Sequence, residues 1–338
     1  MFEKRIEIQE VQSLTLDKLL GNASISAWDE ADVLIKLPRG EERDLQVEEA
    51  EGGPSVLARQ SCEVCMPAGL ALQVREAKGN LAVKGISTLD AQQVRGRLKL
   101  SDVGEAKLAE VYGGLSAKGL KSVSVAGTVF GSAGLKNVER ADLQNVRGSL
   151  TAKVVGRLHG SRIGGNVTAK EVEGSLNIDQ VGGNAILKDI GAEVHIGQVA
   201  GNLTGKNLTG GAKVPKIGGN VVLGGEIGQG RSYQFCARGN AVLGLREDAS
   251  AHLTMTARGK FVLSTPLTGE VREGRTLSGS IGDGGAEIVI EVRGNVVLGS
   301  KDGAQIEMGA ELAGEVARQF EEGLAAVDFD AIGQTVGA

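Results

Sequence analysis

Few residues in this sequence have both the type and the spacing to do chemistry. Cys62-Glu63-Val64-Cys65 is the one C-x-x-C, a spacing that serves redox dithiols and zinc sites. A zinc site needs about four ligands, and the third cysteine, Cys236, is far away in sequence. A redox dithiol should open a helix, yet Met66-Pro67-Ala68-Gly69 follows. Residues three apart on an extended strand point to opposite sides, so a structural role is expected for both thiols. His159, His195 and His252 are scattered, and His195, flanked by Val194 and Ile196, should face solvent. The run Gly279 to Gly285 has the glycine content of a phosphate cradle. It leads into the strand-like Glu287 to Val292 rather than into Lys-Ser/Thr and a helix, so it reads as a turn. No G-x-S-x-G elbow exists from which to nominate a triad. Arg238-Gly239-Asn240, Arg258-Gly259-Lys260 and Arg293-Gly294-Asn295 each set an outward arginine beside a tight corner; a row of ligand-binding arginines is the alternative.

The element that must position these residues is a repeat. Between residues 163 and 225 apolar side chains recur every nine positions in three series. The first is Ile163, Val172, Val181, Ile190, Val199, Leu208 and Ile217; the second is Val167, Leu176, Ala185, Val194, Leu203, Ala212 and Val221; the third is Ala169, Ile178, Leu187, Ile196, Gly205, Val214 and Leu223. Members of the second and third series lie two apart, the strand spacing that puts both on one face. Glycine follows the first series by two at Gly165, Gly174, Gly183, Gly201, Gly210 and Gly219, marking corners. Each nine-residue unit is thus one strand and one turn, and it can bury its apolar face only by stacking. Gly-Asn opens every other unit, and Lys170, Lys188 and Lys206 repeat at 18, so one coil should hold about 18 residues. Glu171 and Asp189 should offset repulsion within the lysine column. Less regular steps of eight and nine, as in Val94, Val103, Val111 and Leu120, extend the pattern backward. From residue 79 to 225 about eight coils would make a rod on the order of 40 Å long.

Composition agrees. The chain has 338 residues with 52 Gly but only 5 Pro, and 1 Trp, 2 Tyr and 6 Phe, so its core must be narrow, and collagen is excluded by the absence of a G-X-Y register. The net charge of −5 without a long basic run argues against a nucleic-acid partner. No run of 18 apolar residues and no N-terminal apolar region predict a cytoplasmic protein without a transmembrane segment. Calcium-binding nonapeptide rolls need an Asp that the Gly-Gly-Asn starts lack, so no metal or cofactor is expected. Residues 1–75 should be an N-terminal β segment capping the solenoid, with the acidic Glu41 to Glu51 as a hairpin or turn. Residues 76–230 should be the regular solenoid, and 231–304 wider β coils, because the three arginine segments are spaced by 20 and 35 residues. In 305–338 Leu312, Val316, Phe320 and Leu324 recur at i+4, an amphipathic helix.

On four stretches the chain resembles the bacterial beta-strand-repeat "putative adhesin" family, a domain of unknown function. They are Val11 to Leu37 with Gly21-Asn22 and Trp28-Asp29-Glu30, then Cys65 to Val74, then the Gly-x-apolar repeats, and finally Gly282 to Ile288 before Gly294-Asn295-Val296. The resemblance spans most of residues 5 to 300, implies a solenoid-like fold, and carries no catalytic residues. Polymer-forming bactofilins have similar short-coil helices, which makes assembly an expectation by analogy.

The reading is therefore an all-β protein, a β-solenoid of about 18-residue coils with a C-terminal amphipathic helix. Its expected function is a non-enzymatic scaffold or interaction protein that self-associates or binds another protein through the solenoid ends or Leu312, Val316, Phe320 and Leu324. The alternative is a carbohydrate-binding or carbohydrate-cleaving β-helix, or an adhesin. With so few aromatics, sugar platforms would be scarce.

Overall fold

The computed structural model describes residues 1–300 except 9–12, 51–52 and 247. Every regular element among them is a strand, apart from one 3-10 turn at Glu42–Asp44. The helix expected in 305–338, with Leu312, Val316, Phe320 and Leu324, lies outside the described residues. The described residues form two compact units that divide between Leu150 and Thr151.

In each unit parallel strands lie in an open sheet at the coil period, the arrangement expected of a solenoid. In the second unit Leu176 stands opposite Val194 and Val194 opposite Ala212, while Ala185 stands opposite Leu203 and Leu203 opposite Val221, an 18-residue step throughout. In the first unit the step is 17 from Leu72 to Leu89 to Ala106 and 18 from Leu115 to Ala133. All three apolar series point inward: Leu176, Val194, Ile196, Leu203 and Val214 are fully buried. Burial of such side chains, about 1.5–3 kcal/mol each, is what holds the rungs together.

Two corners close each rung. One is turned by a residue in the left-handed region: Asp102, Asn137, Val154, Glu171, Asp189 and Asn207 have φ between 53 and 57°, and Gly85, Gly119 and Gly225 hold the same place. The expected balancing of the lysines occurs here. The Glu171 carboxylate lies 2.9 Å from Lys170 Nζ, and that hydrogen bond, with a smaller contribution from Asp189, raises the Lys170 pKa above its usual value. Asp189 also accepts a hydrogen bond from Asn207 Nδ2 at 2.7 Å. The other corner is the Gly-Asn turn. There each Asn Oδ1 accepts the backbone N–H of the next rung's Asn at 2.8 Å, from Asn166 through Asn184 and Asn202 to Asn220.

The rungs do not follow chain order at either terminal stretch. In the first unit Ser13–Leu19 pairs in parallel with both Gly53–Ala58 and Ala71–Ala77, so an early strand is inserted between two later ones. In the second, Ala286–Val292 lies between Ser232–Ala237 and Ala251–Ala257, and Val296–Ser300 lies between Ala241–Leu245 and Phe261–Leu263. The spacings of 20 and 35 residues thus reflect an excursion from which the chain returns to fill a rung it had skipped. Beyond the outer rungs come antiparallel strands: Leu45–Ala50, Val33–Leu37 and Phe2–Ile6 in the first unit, Thr276–Ile281 and Thr268–Glu273 in the second. The outermost carry Glu3, Lys4 and Arg5, Glu48 and Glu49, or Glu270, Arg272 and Glu273. Charges on such strands oppose edge-to-edge pairing.

Candidate functional site

The sites that sequence singled out for chemistry are dispersed. Cys62 is buried, with its thiol pushed up to about 12 by burial and, secondarily, by Glu63. It is therefore held as a neutral thiol, the form that neither binds metal nor attacks disulfides. Cys65 points the other way, half-buried, with its Sγ 3.8 Å from Ser26 Oγ. His159, His195 and His252 are exposed, and His252 contacts Ser280 Oγ at 3.1 Å. Gly282 and Gly284 turn the chain with φ of 59 and 71° between two strands, as a turn should. Among the described residues no group of three His, Cys, Asp or Glu side chains could hold a metal, and no buried side-chain N or O lacks a hydrogen-bond partner.

The three arginine segments, by contrast, come together. The residue that opens the Gly-Asn corner donates its N–H to the carbonyl of the rung before. Arg238 donates to Ile217, Arg293 to Ala237 and Arg258 to Val292, at 2.9, 3.3 and 3.2 Å. The arginines therefore occupy one position on three successive rungs, about 4.8 Å apart, in the order Arg238, Arg293, Arg258. The asparagine ladder fixes their corners. Asn240 donates its N–H to Asn220 Oδ1, Asn295 donates to Asn240 Oδ1 and Lys260 donates to Asn295 Oδ1, each at 2.8 Å.

On the preceding rungs the same position holds Gly182, Ala200 and Gly218, which donate to Ile163, Val181 and Val199. The two of these nearest the arginines, Ala200 and Gly218, line a hollow that the arginines border. The resulting cleft has a volume of about 680 Å³ and is lined by Ala200, Pro215, Gly218 and Gln198, by Thr256 and Cys236, and by the cations Lys216, Arg238, Arg258, Arg275 and Arg293. Glu291 is its one acidic side chain. All five cations are exposed, and none forms an ion pair with a described residue. Sequence reading names the arginines but not the hollow. Its signal is the run Gly182-Gly183, Ala200-Gly201, Gly218-Gly219 in phase with Arg238-Gly239.

In the first unit the same position is filled. Lys78, Arg95, Tyr112, Phe130 and Arg147 donate in turn to Leu19, Ala77, Val94, Val111 and Val129. Tyr112 and Phe130 stack with centroids 4.6 Å apart and planes at 4°, and the Arg147 guanidinium lies 4.3 Å over Phe130. Both faces of Phe130 are thus covered and offer no platform to a sugar ring.

A second row in the second unit mixes β-branched apolar residues with two threonines, and Thr168, Thr204 and Val297 in it are buried. Thr168, Ile186, Thr204, Val222, Val242, Val297 and Val262 stand opposite one another on consecutive rungs. Ile186, Val222, Val242 and Val262 are partly exposed.

No protein-family model and no curated protein matches the chain. Among solved structures it is similar to a "putative cell adhesion protein" from Clostridium sporogenes, at 10% identity with a TM-score of 0.17, over 89% of this chain and 99% of that one. A superposition of that quality transfers neither fold nor function.

Proposed function

We propose that this protein is a non-enzymatic β-solenoid interaction scaffold that meets its partners through its side faces. The observation that supports this most strongly is the contrast between ends and sides. The outer strands Gly53–Ala58 and Cys62–Pro67 of the first unit and Ala251–Ala257 of the second are covered by antiparallel strands, and the charges on the outermost of these oppose growth by strand addition. The sides carry rows of residues repeated at rung spacing, one basic and one of partly exposed β-branched side chains, Ile186, Val222, Val242 and Val262. Burying ordered rows of this kind against a partner costs little conformational entropy, because the rungs are already fixed.

Self-association through Leu312, Val316, Phe320 and Leu324 belongs to the same proposal. Light scattering and electron microscopy of the full chain should give a discrete mass that does not change with concentration, and no filaments. Removing residues 305–338 should lower that mass. Filaments, or mass that still grows with concentration once residues 305–338 are removed, would show that the rung ends do pair and would overturn the reading.

A further inference from the structure

We propose that the arginine-bordered cleft of the second unit is a binding site for an acidic polysaccharide, a sugar chain bearing carboxylates. The inference rests on the side-face reading above and adds the chemistry of one partner.

Charge comes first. The chain carries −5 overall, yet Lys216, Arg238, Arg258, Arg275 and Arg293 converge on one cleft with Glu291 alone opposing them. Such concentration of one sign on a concave surface raises the local population of counter-charged ligands. Residue type comes second. Four of the five cations are arginines, whose planar forks bind carboxylates in bidentate fashion, whereas a lysine acts as a point charge.

An extended row of cations suits a chain of carboxylates. Arg238, Arg293 and Arg258 repeat at the rung interval of about 4.8 Å. A uronate chain laid along this row can offer carboxylates to more than one of the three exposed arginines. A single-stranded nucleic acid would want aromatic side chains for its bases, and the cleft lining has none. What the lining does offer suits sugars: Gln198 and Thr256 for hydroxyls, and Ala200 and Pro215 as apolar contact.

The test is calorimetric titration of the full chain with a short oligogalacturonate, with its methyl ester of the same length, and with a single-stranded DNA oligonucleotide. The acid form should bind, and added salt should weaken it. The ester and the DNA should bind far more weakly. Arg293→Gln, the central arginine, should weaken binding about tenfold or more while leaving thermal melting unchanged, and Arg293→Lys should fall between. Absence of binding by the acid form, equal binding by the ester or the DNA, or an unaffected Arg293→Gln would each overturn the proposal. The product mixture separates this inference from the one beneath it. Binding with cleavage of the oligomer would leave the site standing and remove the non-enzymatic reading; no binding by a protein of discrete mass would remove the site alone.

Discussion

The two units place different side chains in one backbone position. In the first, Lys78, Arg95, Tyr112, Phe130 and Arg147 follow one another up the rungs. Tyr112 there stacks on Phe130, Arg147 lies over Phe130, and the Tyr112 hydroxyl donates to Glu110 at 2.9 Å and accepts from Gln93 Nε2 at 3.3 Å. The groups satisfy one another. In the second unit Gly182, Ala200 and Gly218 vacate the position, and Arg238, Arg293 and Arg258 then occupy it without an ion pair among the described residues. The backbone hydrogen bonds are alike, but the close approach of the rungs is not: a Cβ on Gly182 would run into the Gly164 carbonyl oxygen and one on Gly218 into the Ala200 oxygen, so the second unit keeps glycine where the first has room for long side chains. A repeat fold supplies a regular frame, and a local change of residue size and charge turns one part of it into a site.

The largest expected effect would break the frame that both units share. The glycine after this position packs against the carbonyl of the glycine one rung back. A Cβ on Gly201 would sit 2.9 Å from the Gly183 oxygen and closer still to Asn184 Oδ1, and a Cβ on Gly113 would meet the Gly96 oxygen in the same way. Gly201→Val and Gly113→Val should each cost roughly 3 kcal/mol or more in denaturant melts. If one were tolerated, the two units would not share the frame.

Much of that frame is legible in the sequence. The nine-residue series gives strands, inward faces and corners, because apolar residues and glycines are set by burial and by close backbone approach, both local and periodic. Rung order is not legible. Nothing in Arg258 or Arg293 tells that the later segment sits between the earlier two, because parallel strands with the same inward pattern can be exchanged without changing any residue's burial. The hollow was equally hard to see. It is bordered by the small residues Ala200 and Gly218, and it becomes a site only once Arg293 has been placed beside Arg238.

The next expected effect separates the units by pH. In the first, the Cys62 thiol ionises near 9.0 when unfolded but is held protonated to about 12 when folded. Its contribution to stability, fully present below pH 9.0, should therefore decline as pH rises through that window, by about 1.4 kcal/mol per pH unit at most. In the second, burial raises the Tyr233 phenol above its ordinary 10.0, so its decline should begin a unit higher. Melting temperature against pH for wild type and Cys62→Ala checks this: the variant should lose the earlier decline only.

A smaller effect concerns the other corner, where asparagines, acids and glycines adopt left-handed φ in both units. Val154 is the β-branched exception at φ 55°, a conformation that costs such a side chain about 1–2 kcal/mol. Val154→Asn should stabilise the protein by about 1 kcal/mol in chemical denaturation. A loss of stability would mean that Val154 is held there for its contacts.

The smallest expected effect on stability is the most informative about the hollow. Ala200 is exposed and already carries a Cβ, so Ala200→Phe, which copies the filled position of the first unit, should change stability by less than about 0.5 kcal/mol. It should nevertheless weaken oligogalacturonate binding, because the ring would enter the cleft that Ala200 lines.

The central claim is that the vacated position makes a carboxylate site, and Cys236 reports on it directly. This cysteine is exposed, lines the cleft, and is joined in the chain by buried Cys62 and half-buried Cys65. The measurement is the rate of Cys236 alkylation, followed on its own peptide by mass spectrometry, with and without oligogalacturonate. The account predicts clear slowing in wild type and little slowing in Arg293→Gln. An unchanged Cys236 rate at oligomer concentrations that saturate the calorimetric signal would place the polymer elsewhere and contradict it.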